Sequence, residues 1–419
     1  MIKAITGTKD ILPEDINKWY YVENLVKKVM KNFNYKELRT PVFEETALFS
    51  RGIGEATDIV SKEMYTFVDR SGLSVTLKPE MTASVVRSFI EHSMDKKQNL
   101  NKLFYISPMF RQERPQAGRF RQFHQFGAEA IGSNDPSLDA EMILMAYDIF
   151  NSVGLKNLVV KINSLGVPES RERYKTELKK YLSDKVDRLS EESKKRLETN
   201  ILRIFDSKEY QDKEIMINAP IILDYLDEDS LKQFEEVKKI LTDANIPFEV
   251  DPTLVRGLDY YTNTTFEVVS GSIGSQSALC GGGRYDLLIE QLGGKPTPGV
   301  GFAAGIERLL LACENEGCLN VQPEPLDLYI VRLDNELKNL TYQYSVDFRR
   351  KGFNVEIDYL LRSIKAQMRE ANKLNAKFVL FVGGDEFKNN QVVLKNMVSS
   401  EQKNIAIETL TDIENILRG

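Results

Sequence analysis

The stretch from Leu103 to Gly132, LFYISPMFRQERPQAGRFRQFHQFGAEAIG, concentrates side chains that can bind a charged ligand. Its apolar alternation on both sides of a charged loop predicts a β-hairpin. A polar strand face interrupted by a glycine suits a ligand that lies on the sheet. Because successive side chains of a strand point to opposite faces, one face of the second strand carries Arg121, Phe123, Gln125, Gly127 and Glu129.

Arg111 closes the first strand of this hairpin, where its planar guanidinium is suited to bind a phosphate through two parallel hydrogen bonds. The sequence contains neither a GxxxxGK(S/T) loop nor a GxGxxG motif between a strand and a helix. An ATP site would therefore have to be built from side chains of this kind. The alternative is that these charges form a solvated strand edge that protects against aggregation.

Three later segments carry related residue types. LVRGLDYYTNTTFEVV, from Leu254 to Val269, contains Arg256 and a pair of tyrosines. LCGGGRYDLLIEQLGG, from Leu279 to Gly294, contains three successive glycines that let the backbone approach a ligand closely, or that form only a tight bend. GVGFAAGIERLLL predicts a strand of small residues followed by a helix with Arg308 in its first turns.

The histidines and cysteines show no comparable pattern. His92 lies in the polar stretch EHSMDKK, so we predict that it is solvated. His124 has the opposite strand parity from Gln125 and Glu129, which predicts a structural role away from the ligand face. None of the three cysteines belongs to a CxxC pair, so we expect neither a disulfide framework nor a zinc site.

The rest of the chain must position these segments. Its first third mixes probable strands and helices, and the charged, helix-forming stretch at about 169–248 predicts a mostly helical insertion. Near Val321 the stretch VQPEPLD predicts a linker. After it, LDLYIVRL, NVEIDYL, KFVLFVG and QVVLKN alternate with helical segments, the pattern of a small α/β domain. We therefore predict one domain at 1–325 and a second at 326–419.

Composition sets limits on the class of protein. The chain has 419 residues, 42% of them hydrophobic and 28% charged, which is typical of water-soluble globular proteins with two or three domains. No apolar run approaches the roughly 18 residues of a membrane span, and the N-terminus has no signal-like core. We predict a cytoplasmic protein without a membrane partner. The net charge is −6, while residues 326–419 carry 14 Lys and Arg against 13 Asp and Glu, so local patches could still bind RNA.

Several of these segments resemble a known family. FRQERPQAGRFRQFHQFGAE resembles motif 2 of class II aminoacyl-tRNA synthetases in its histidyl form, and GVGFAAGIERLL resembles motif 3. RGLDYY and GGGRYD resemble the two signature peptides of histidyl-tRNA synthetases, and GTKDILP and LKPEMTASVVR are also similar to them. The resemblance covers Ile5 to Leu310, and the tail is similar to an anticodon-binding domain. Two departures are Lys78, where Arg is expected, and Met81, where Gly is usual.

The resemblance implies a fold and a reaction. The expected fold is an α+β catalytic core built on an antiparallel sheet flanked by helices, with a helical insertion and a C-terminal α/β domain. The expected reaction is ATP-dependent activation of L-histidine to histidyl-adenylate, followed by transfer of the histidyl group to the 3′ end of tRNA(His). Motif 1 would lie in Phe33 to Ser50, where the family forms its homodimer interface. Mg²⁺ is expected to bridge the phosphates of ATP without a dedicated cluster of protein ligands.

The resemblance also implies roles for individual residues. Arg111 and Arg256 would neutralise the α-phosphate and the substrate carboxylate, Arg308 would hold the γ-phosphate, and Glu113 would bind the adenine amino group. Selection of histidine needs an acceptor for one imidazole N–H and a partner for the other nitrogen, and Glu129 and Tyr261 suit those tasks. The substrate ammonium would be bound by Glu80, Thr82 and Gln125. The remaining wall of the histidine site would be formed by Tyr260 and Tyr285.

Two other classes of protein share some of these features. A catalytically silent paralogue could bind histidine and regulate a phosphoribosyltransferase of histidine biosynthesis, but such proteins usually lack the anticodon domain and parts of the histidyl signatures. This chain keeps RGLDYY, Arg111 and Arg308 and has about 94 further residues after the predicted linker. A nucleic-acid-binding module without chemistry would leave the polar strand face unexplained.

Overall fold

The computed structural model describes residues 1–54, 57–274 and 278–418. The chain divides into two compact units, Met1–Val321 and Gln322–Gly419. The predicted domain boundary, between residues 325 and 326, lies close to this division.

Helices of the first unit surround two sheets. Its first helix begins at Pro13, whose fixed φ suits the first helical position, and Glu14 and Asp15 favour the positive end of the helix dipole. The helices are α1 (Pro13–Asn32), α2 (Thr46–Ile53), α3 (Thr82–Glu91), α4 (Pro136–Ser152), α5 (Pro168–Leu182), α6 (Glu191–Thr199), α7 (Tyr210–Met216), α8 (Glu228–Asp243), α9 (Leu288–Gln291) and α10 (Ile306–Glu316). The strands are β1 (Lys36–Glu37), β2 (Phe43–Glu45), β3 (Tyr65–Val68), β4 (Ser74–Leu77), β5 (Asn101–Phe110), β6 (Gln122–Ile131), β7 (Leu158–Ser164), β8 (Phe248–Val250), β9 (Thr262–Ser270), β10 (Ala278–Arg284) and β11 (Gly299–Gly305).

The larger sheet has the strand order β1-β5-β6-β11-β10-β9-β7-β8. Its six central strands are antiparallel, which confirms the predicted core, while the pairs β1·β5 and β7·β8 at its two ends are parallel and make the sheet mixed. The predicted hairpin is β5·β6, and the small-residue strand β11 runs directly into α10 as its sequence predicts.

The two faces of this sheet differ in character. On one face Phe126 and Phe302 pack edge to face, with ring centroids 6.5 Å apart, in a core that includes Ile143 and Ile149 of α4. The opposite face carries Gln125, Gly127 and Glu129 of β6 and their neighbours on β10 and β11. Strand parity therefore separates a packing face from a face that is open to ligands.

The helical insertion is confirmed, and α5 to α8 form most of it. Within it, Tyr174, Leu178 and Leu182 of α5 are buried in a core shared with Ile201 and Ile204 of the short helical segment Ile201–Asp206. The segment before β8 therefore folds against the sheet as part of the first unit.

The smaller sheet of the first unit has the order β2-β4-β3. Several large apolar side chains on and beside it are exposed, with Phe43 at 55%, Phe67 at 49% and Val68 at 67% of full exposure. Val42 is 40% exposed. This part of the chain includes the segment predicted to hold motif 1.

The second unit is a five-stranded sheet with the order β13-β12-β14-β15-β16 and helices packed around it. Its first four strands match the four predicted ones, whereas β16 has the polar sequence QKNIA and only Ile405 buried, so its pattern gave no strand signal. Among the described residues of both units, no helix is long and apolar enough to cross a membrane. The elements of this unit are β12 (Leu328–Arg332), α11 (Lys338–Arg350), β13 (Val355–Ile357), α12 (Ile364–Lys373), β14 (Phe378–Val382), α13 (Gly384–Lys388), β15 (Gln391–Asn396), β16 (Gln402–Ala406) and α14 (Leu410–Arg418).

Candidate active site

A cavity of about 390 Å³ lies on the open face of the larger sheet, and we call it the arginine cavity. It brings together residues that are far apart in the sequence, from the hairpin, the insertion, the segment before β9 and the start of α10. Five predicted residues line it: Arg111, Glu113, Gln125, Arg256 and Arg308. The lining also includes Asp58, Glu63, Arg119, Phe123, Arg203, Glu267 and Glu307.

Arg111 is fixed from two sides. Its Nε donates a hydrogen bond to the carbonyl oxygen of Pro79 at 2.9 Å, and its guanidinium lies 5.4 Å from the ring centroid of Phe123. The backbone N–H of Arg111 also donates to the carbonyl of Arg121, which keeps the two strands together at the mouth of the hairpin. The guanidinium is therefore held in one orientation before any ligand binds.

Arg256 is held still more closely. It forms an ion pair with Glu267 of β9 and lies 5.6 Å from the ring centroid of Tyr261. A Cβ atom on Gly281 of β10 would lie 2.2 Å from a guanidinium nitrogen of Arg256, so the missing side chain at this position leaves room for the guanidinium. Burial is the largest single influence on the pKa of Arg256 and acts to lower it, but Glu267, Tyr261 and Tyr260 together raise that pKa, so the side chain stays cationic.

Glu113 lies in the loop between β5 and β6, and Arg308 of α10 lies close to the same loop. Glu113 accepts a hydrogen bond from Arg119 at 3.1 Å, so its carboxylate is already paired within the loop. A Cβ on Gly118 would lie 3.4 Å from Cγ of Arg308, which shows how closely the loop approaches α10. Burial lowers the pKa of Arg308 from its very high ordinary value, and the nearby charge of Arg119 adds to this effect.

Glu129 lies in a buried cluster of side chains that we call the Glu129 pocket, formed by Glu129, Thr82, Tyr105, Tyr260, Tyr261 and Tyr285. Its carboxylate accepts hydrogen bonds from the Thr82 hydroxyl at 2.8 Å and the Tyr285 hydroxyl at 2.6 Å. Burial raises its pKa to about 8, although both hydrogen bonds act in the opposite direction. A Cβ on Gly301 would lie 1.8 Å from Oε2, so a glycine on the paired strand makes room for this carboxylate.

Aromatic rings close the Glu129 pocket. The ring centroids of Tyr260 and Tyr261 are 4.7 Å apart, and those of Tyr260 and Tyr285 are 6.0 Å apart. All three side chains are at least 95% buried. Since Tyr261 also faces Arg256 of the arginine cavity, one side chain links the two sites.

The residues predicted to bind the substrate ammonium differ in their surroundings. The amide oxygen of Gln125 is buried and has no hydrogen-bond partner among the described residues, which leaves it available to a ligand. Both carboxylate oxygens of Glu80, in contrast, accept backbone N–H groups of Thr82 and Ala83 at 2.7 and 2.8 Å, and so cap α3. The role of Glu80 as an ammonium ligand stays a prediction.

Sequence reasoning missed several residues of these sites, among them Tyr105, Arg203 and Glu267. Tyr105 is fully buried, and its hydroxyl would lie 2.4 Å from a Cβ on Gly127, its partner across the hairpin. Hairpin register could have found Tyr105, because it shares the open face with Gly127. Arg203 and Glu267 reach the arginine cavity only through the tertiary fold, so local patterns gave no signal for them.

The histidines behave as their positions predict. The imidazole Nδ1 of His124 lies 2.9 Å from Glu307, and its ring packs edge to face against Trp19, away from Gln125. His92 is exposed at the end of α3. The three cysteines are free, and the described residues contain no cluster of His, Cys, Asp and Glu arranged to hold a metal ion.

Known proteins are similar to this chain over most of their length. A family model described as "Histidyl-tRNA synthetase" matches residues 7–309, and one described as "Anticodon binding domain" matches residues 327–413. A histidine–tRNA ligase of Halothermothrix orenii is 50% identical over 411 residues, which are 98% of each chain. The crystal structure of apo S. aureus histidyl-tRNA synthetase is similar with a TM-score of 0.83 and 42% identity over 99% of each chain.

A more distant structure bears on the regulatory alternative. It is described as an ATP phosphoribosyltransferase regulatory subunit/histidyl-tRNA synthetase from Bacillus halodurans, and it is similar with a TM-score of 0.66 over 92% of this chain and 99% of that one. At 21% identity the likeness shows the fold alone.

Proposed function

The chain belongs to the histidyl-tRNA synthetase family, and we propose that the arginine cavity binds ATP while the Glu129 pocket binds the imidazole of L-histidine. The chain activates L-histidine with ATP to histidyl-adenylate and transfers the histidyl group to the 3′ end of tRNA(His). The observation that carries the assignment of residues is that three predicted arginines, Arg111, Arg256 and Arg308, line one cavity.

Activation requires the histidine carboxylate to attack the α-phosphorus of ATP while pyrophosphate leaves. Catalysis of this kind depends on positioning and on stabilising the charge that develops in the transition state. We assign Arg111 and Arg256 to the α-phosphate and the substrate carboxylate, and Arg308 to the γ-phosphate. The carboxylate of Glu113 would release its hydrogen bond from Arg119 and accept one from the adenine amino group.

Mg²⁺ is the metal that this chemistry implies. Carboxylates of Glu63 and Glu267 line the same cavity and are the hard oxygen donors that Mg²⁺ prefers, so the residues present fit the cation. When bound, the cation would neutralise charge on the leaving phosphates. Most of its ligands would be phosphate oxygens and water.

Histidine recognition rests on the Glu129 pocket. A carboxylate oxygen can accept more than one hydrogen bond, so Glu129 can accept an imidazole N–H while it keeps Thr82 and Tyr285. Tyr261 would serve the other imidazole nitrogen, and Tyr260 would complete the wall. The unpaired amide oxygen of Gln125 supports its assignment to the substrate ammonium, beside Thr82 and Glu80.

The second unit is proposed as the anticodon-binding domain at 326–419. Lys365, Arg369 and Lys373 follow one another at intervals of four residues on the exposed face of α12, and they form no ion pair with any residue that the structure describes. Tyr359, just before this helix, is 59% exposed. Cations beside an exposed aromatic ring suit the phosphates and unstacked bases of an RNA loop.

A homodimer is proposed from the small sheet of the first unit. The exposed side chains of Phe43 and Phe67 have the same strand parity and give one face of it an apolar surface that a second copy would cover. We propose the cytoplasm as the site of action, since tRNA charging supplies translation there. Sedimentation analysis of the chain and of a Phe43→Ser/Phe67→Ser variant tests the dimer, and a monomeric wild type would contradict it.

ATP–pyrophosphate exchange, measured with each amino acid in turn, tests the proposed function. Exchange that depends on histidine alone is the expected result. Histidine binding without exchange would favour the regulatory alternative, in which the catalytic groups are silent. The presence of Arg111, Arg256 and Arg308 in one cavity argues for exchange.

A further inference from the structure

Arg203 is a cation that the helical insertion contributes to the arginine cavity. It lies in the segment Ile201–Asp206, and its side chain is only 17% exposed. Most of the other cations of the cavity come from the hairpin and from the strands and helices of the central sheet, whereas this one arrives from the insertion. Its position raises the question of what the guanidinium does there.

The contacts of Arg203 use only part of its hydrogen-bonding capacity. One terminal nitrogen donates to Asp58 at 2.7 Å. Its Nε is buried without a hydrogen-bond partner among the described residues, and an oxygen of Asp206 lies 3.9 Å from it. A guanidinium has five N–H donors in a planar fork, so donors remain after the contact with Asp58.

The carboxylate that holds Arg203 has the same sign of charge as a phosphate. Asp58 itself lines the cavity, and burial acts to raise its pKa, but the hydrogen bonds and charges of Arg203 and Lys62 together lower that pKa. Asp58 is therefore ionised in the neutral range. It orients Arg203 in the free protein and also repels any anion that enters the cavity.

We propose that Arg203 is a phosphate-binding residue of the ATP site, through which the helical insertion takes part in nucleotide binding. This inference rests on the proposed function, because it assigns ATP to the arginine cavity. A bound triphosphate brings up to four negative charges into a space where the cavity's arginines are partly neutralised by Glu113 and Glu267. An additional guanidinium with unused donors meets that need.

The competing explanation is that the Arg203–Asp58 pair only anchors the insertion to the rest of the unit. Other contacts already perform that function. Asn200 donates to Asp259 at 3.0 Å, and Arg171 of α5 donates to the backbone carbonyl of Tyr261. An anchor also predicts that removing either partner has the same effect, whereas phosphate binding predicts opposite effects.

The test compares Arg203→Met with Asp58→Asn in histidine-dependent pyrophosphate exchange. Arg203→Met is expected to raise the KM for ATP roughly tenfold or more, as loss of a charge-assisted hydrogen bond does, with the KM for histidine within about twofold. Asp58→Asn is expected to leave the KM for ATP unchanged or lower it, because it removes a repelling charge and keeps the guanidinium. Arg188→Met, at an exposed arginine of the same insertion, is the matched control and should behave as wild type.

Two results would overturn the inference. One is a KM for ATP within twofold of wild type in folded Arg203→Met, and the other is an equal rise in both variants, which identifies an anchor. If Arg203→Met does not fold, Arg203→Lys replaces it, since Lys keeps the charge but loses the planar fork, and an unchanged KM for ATP overturns the inference equally. Failure of the proposed function is distinct, because wild type would then show no histidine-dependent exchange.

Discussion

In the arginine cavity, charged side chains of both signs line an open space, whereas in the Glu129 pocket one carboxylate is buried among neutral hydroxyls. The cavity pairs its charges in advance, as in Arg256 with Glu267 and Arg119 with Glu113. An incoming polyanion therefore exchanges one set of ionic partners for another. The Glu129 pocket needs no such exchange for the proposed imidazole contact, because hydroxyl groups rather than opposite charges hold its carboxylate.

This difference has an energetic consequence. In the arginine cavity, each cation contributes to stabilising the negative charge of the bound phosphates. Loss of one cation therefore reduces the stabilisation of the transition state. A preorganised pocket discriminates through a single hydrogen bond whose loss leaves a buried polar group unpaired. Substitutions in the cavity should therefore act mainly on ATP use and kcat, and those in the pocket mainly on histidine use.

The largest effect is expected for Arg256→Ala. Its guanidinium is fixed by Glu267, Tyr261 and the space above Gly281, so it is preorganised for charge that develops at the α-phosphate. We expect kcat of pyrophosphate exchange to fall on the order of 10²-fold or more. Circular dichroism should show a folded protein. Near-normal exchange in that folded variant would show that Arg256 is not part of the catalytic machinery.

The next effect in size is expected for Glu129→Gln. The proposed contact uses the ionised form of Glu129, which an imidazole N–H selects over the protonated form because it only accepts hydrogen bonds. The substitution keeps the size of the side chain but puts a permanent donor in that place. The KM for histidine should rise roughly 10- to 150-fold, the cost of a charge-assisted hydrogen bond of about 1.5 to 3 kcal/mol. The KM for ATP is the internal control and should change less than about twofold. A histidine KM within twofold of wild type would remove Glu129 from the recognition site.

Much of the contrast between the two sites follows from strand parity in the sequence. Parity correctly predicts that Gln125 and Glu129 share the ligand face and that His124 does not, because a strand turns successive side chains by half a turn. The glycines of β10 were recognised as points of close approach to a ligand. The proximity of Gly281 to Arg256, and of Gly301 on β11 to Glu129, became evident only from the folded structure.

The remainder depends on long-range pairing that a single sequence does not encode locally. Glu267 and Arg203 line the cavity because the fold brings β9 and the helical insertion next to the hairpin, from which they are distant in sequence. Glu80 has the right residue type for a ligand, yet its oxygens cap α3, a local competition that only the backbone geometry reveals. The polar strand β16 was missed because its position is set by pairing with β15 rather than by its own pattern.

A smaller effect is expected outside both sites, for Lys365→Gln/Arg369→Gln on α12. If these side chains bind tRNA phosphates, the KM for tRNA should rise several-fold, and the dependence of log affinity on log salt should weaken by about 2, or about 1 for each lost contact. Pyrophosphate exchange should not change. Lys338→Gln/Lys403→Gln, at exposed positions elsewhere in the second unit, removes the same charge and is the matched control. Equal losses in both double variants would indicate a general charge effect instead of a binding surface.

The smallest effect concerns stability and again separates the pocket from the cavity. The folded protein keeps a proton on Glu129 up to about pH 8, while an exposed glutamate releases it near 4.5. Between these values the folded state binds more protons than the unfolded state, so this group makes the free energy of unfolding decrease as pH rises. The amide of Glu129→Gln does not titrate in this range, so the variant lacks this pH-dependent contribution. The Tm of the variant minus that of wild type should therefore increase by roughly a few °C from pH 5 to pH 8. A Tm difference that stays constant across this range would mean that Glu129 is ionised in the folded protein at every pH tested, and the pocket would then bind an imidazole as a fixed anion.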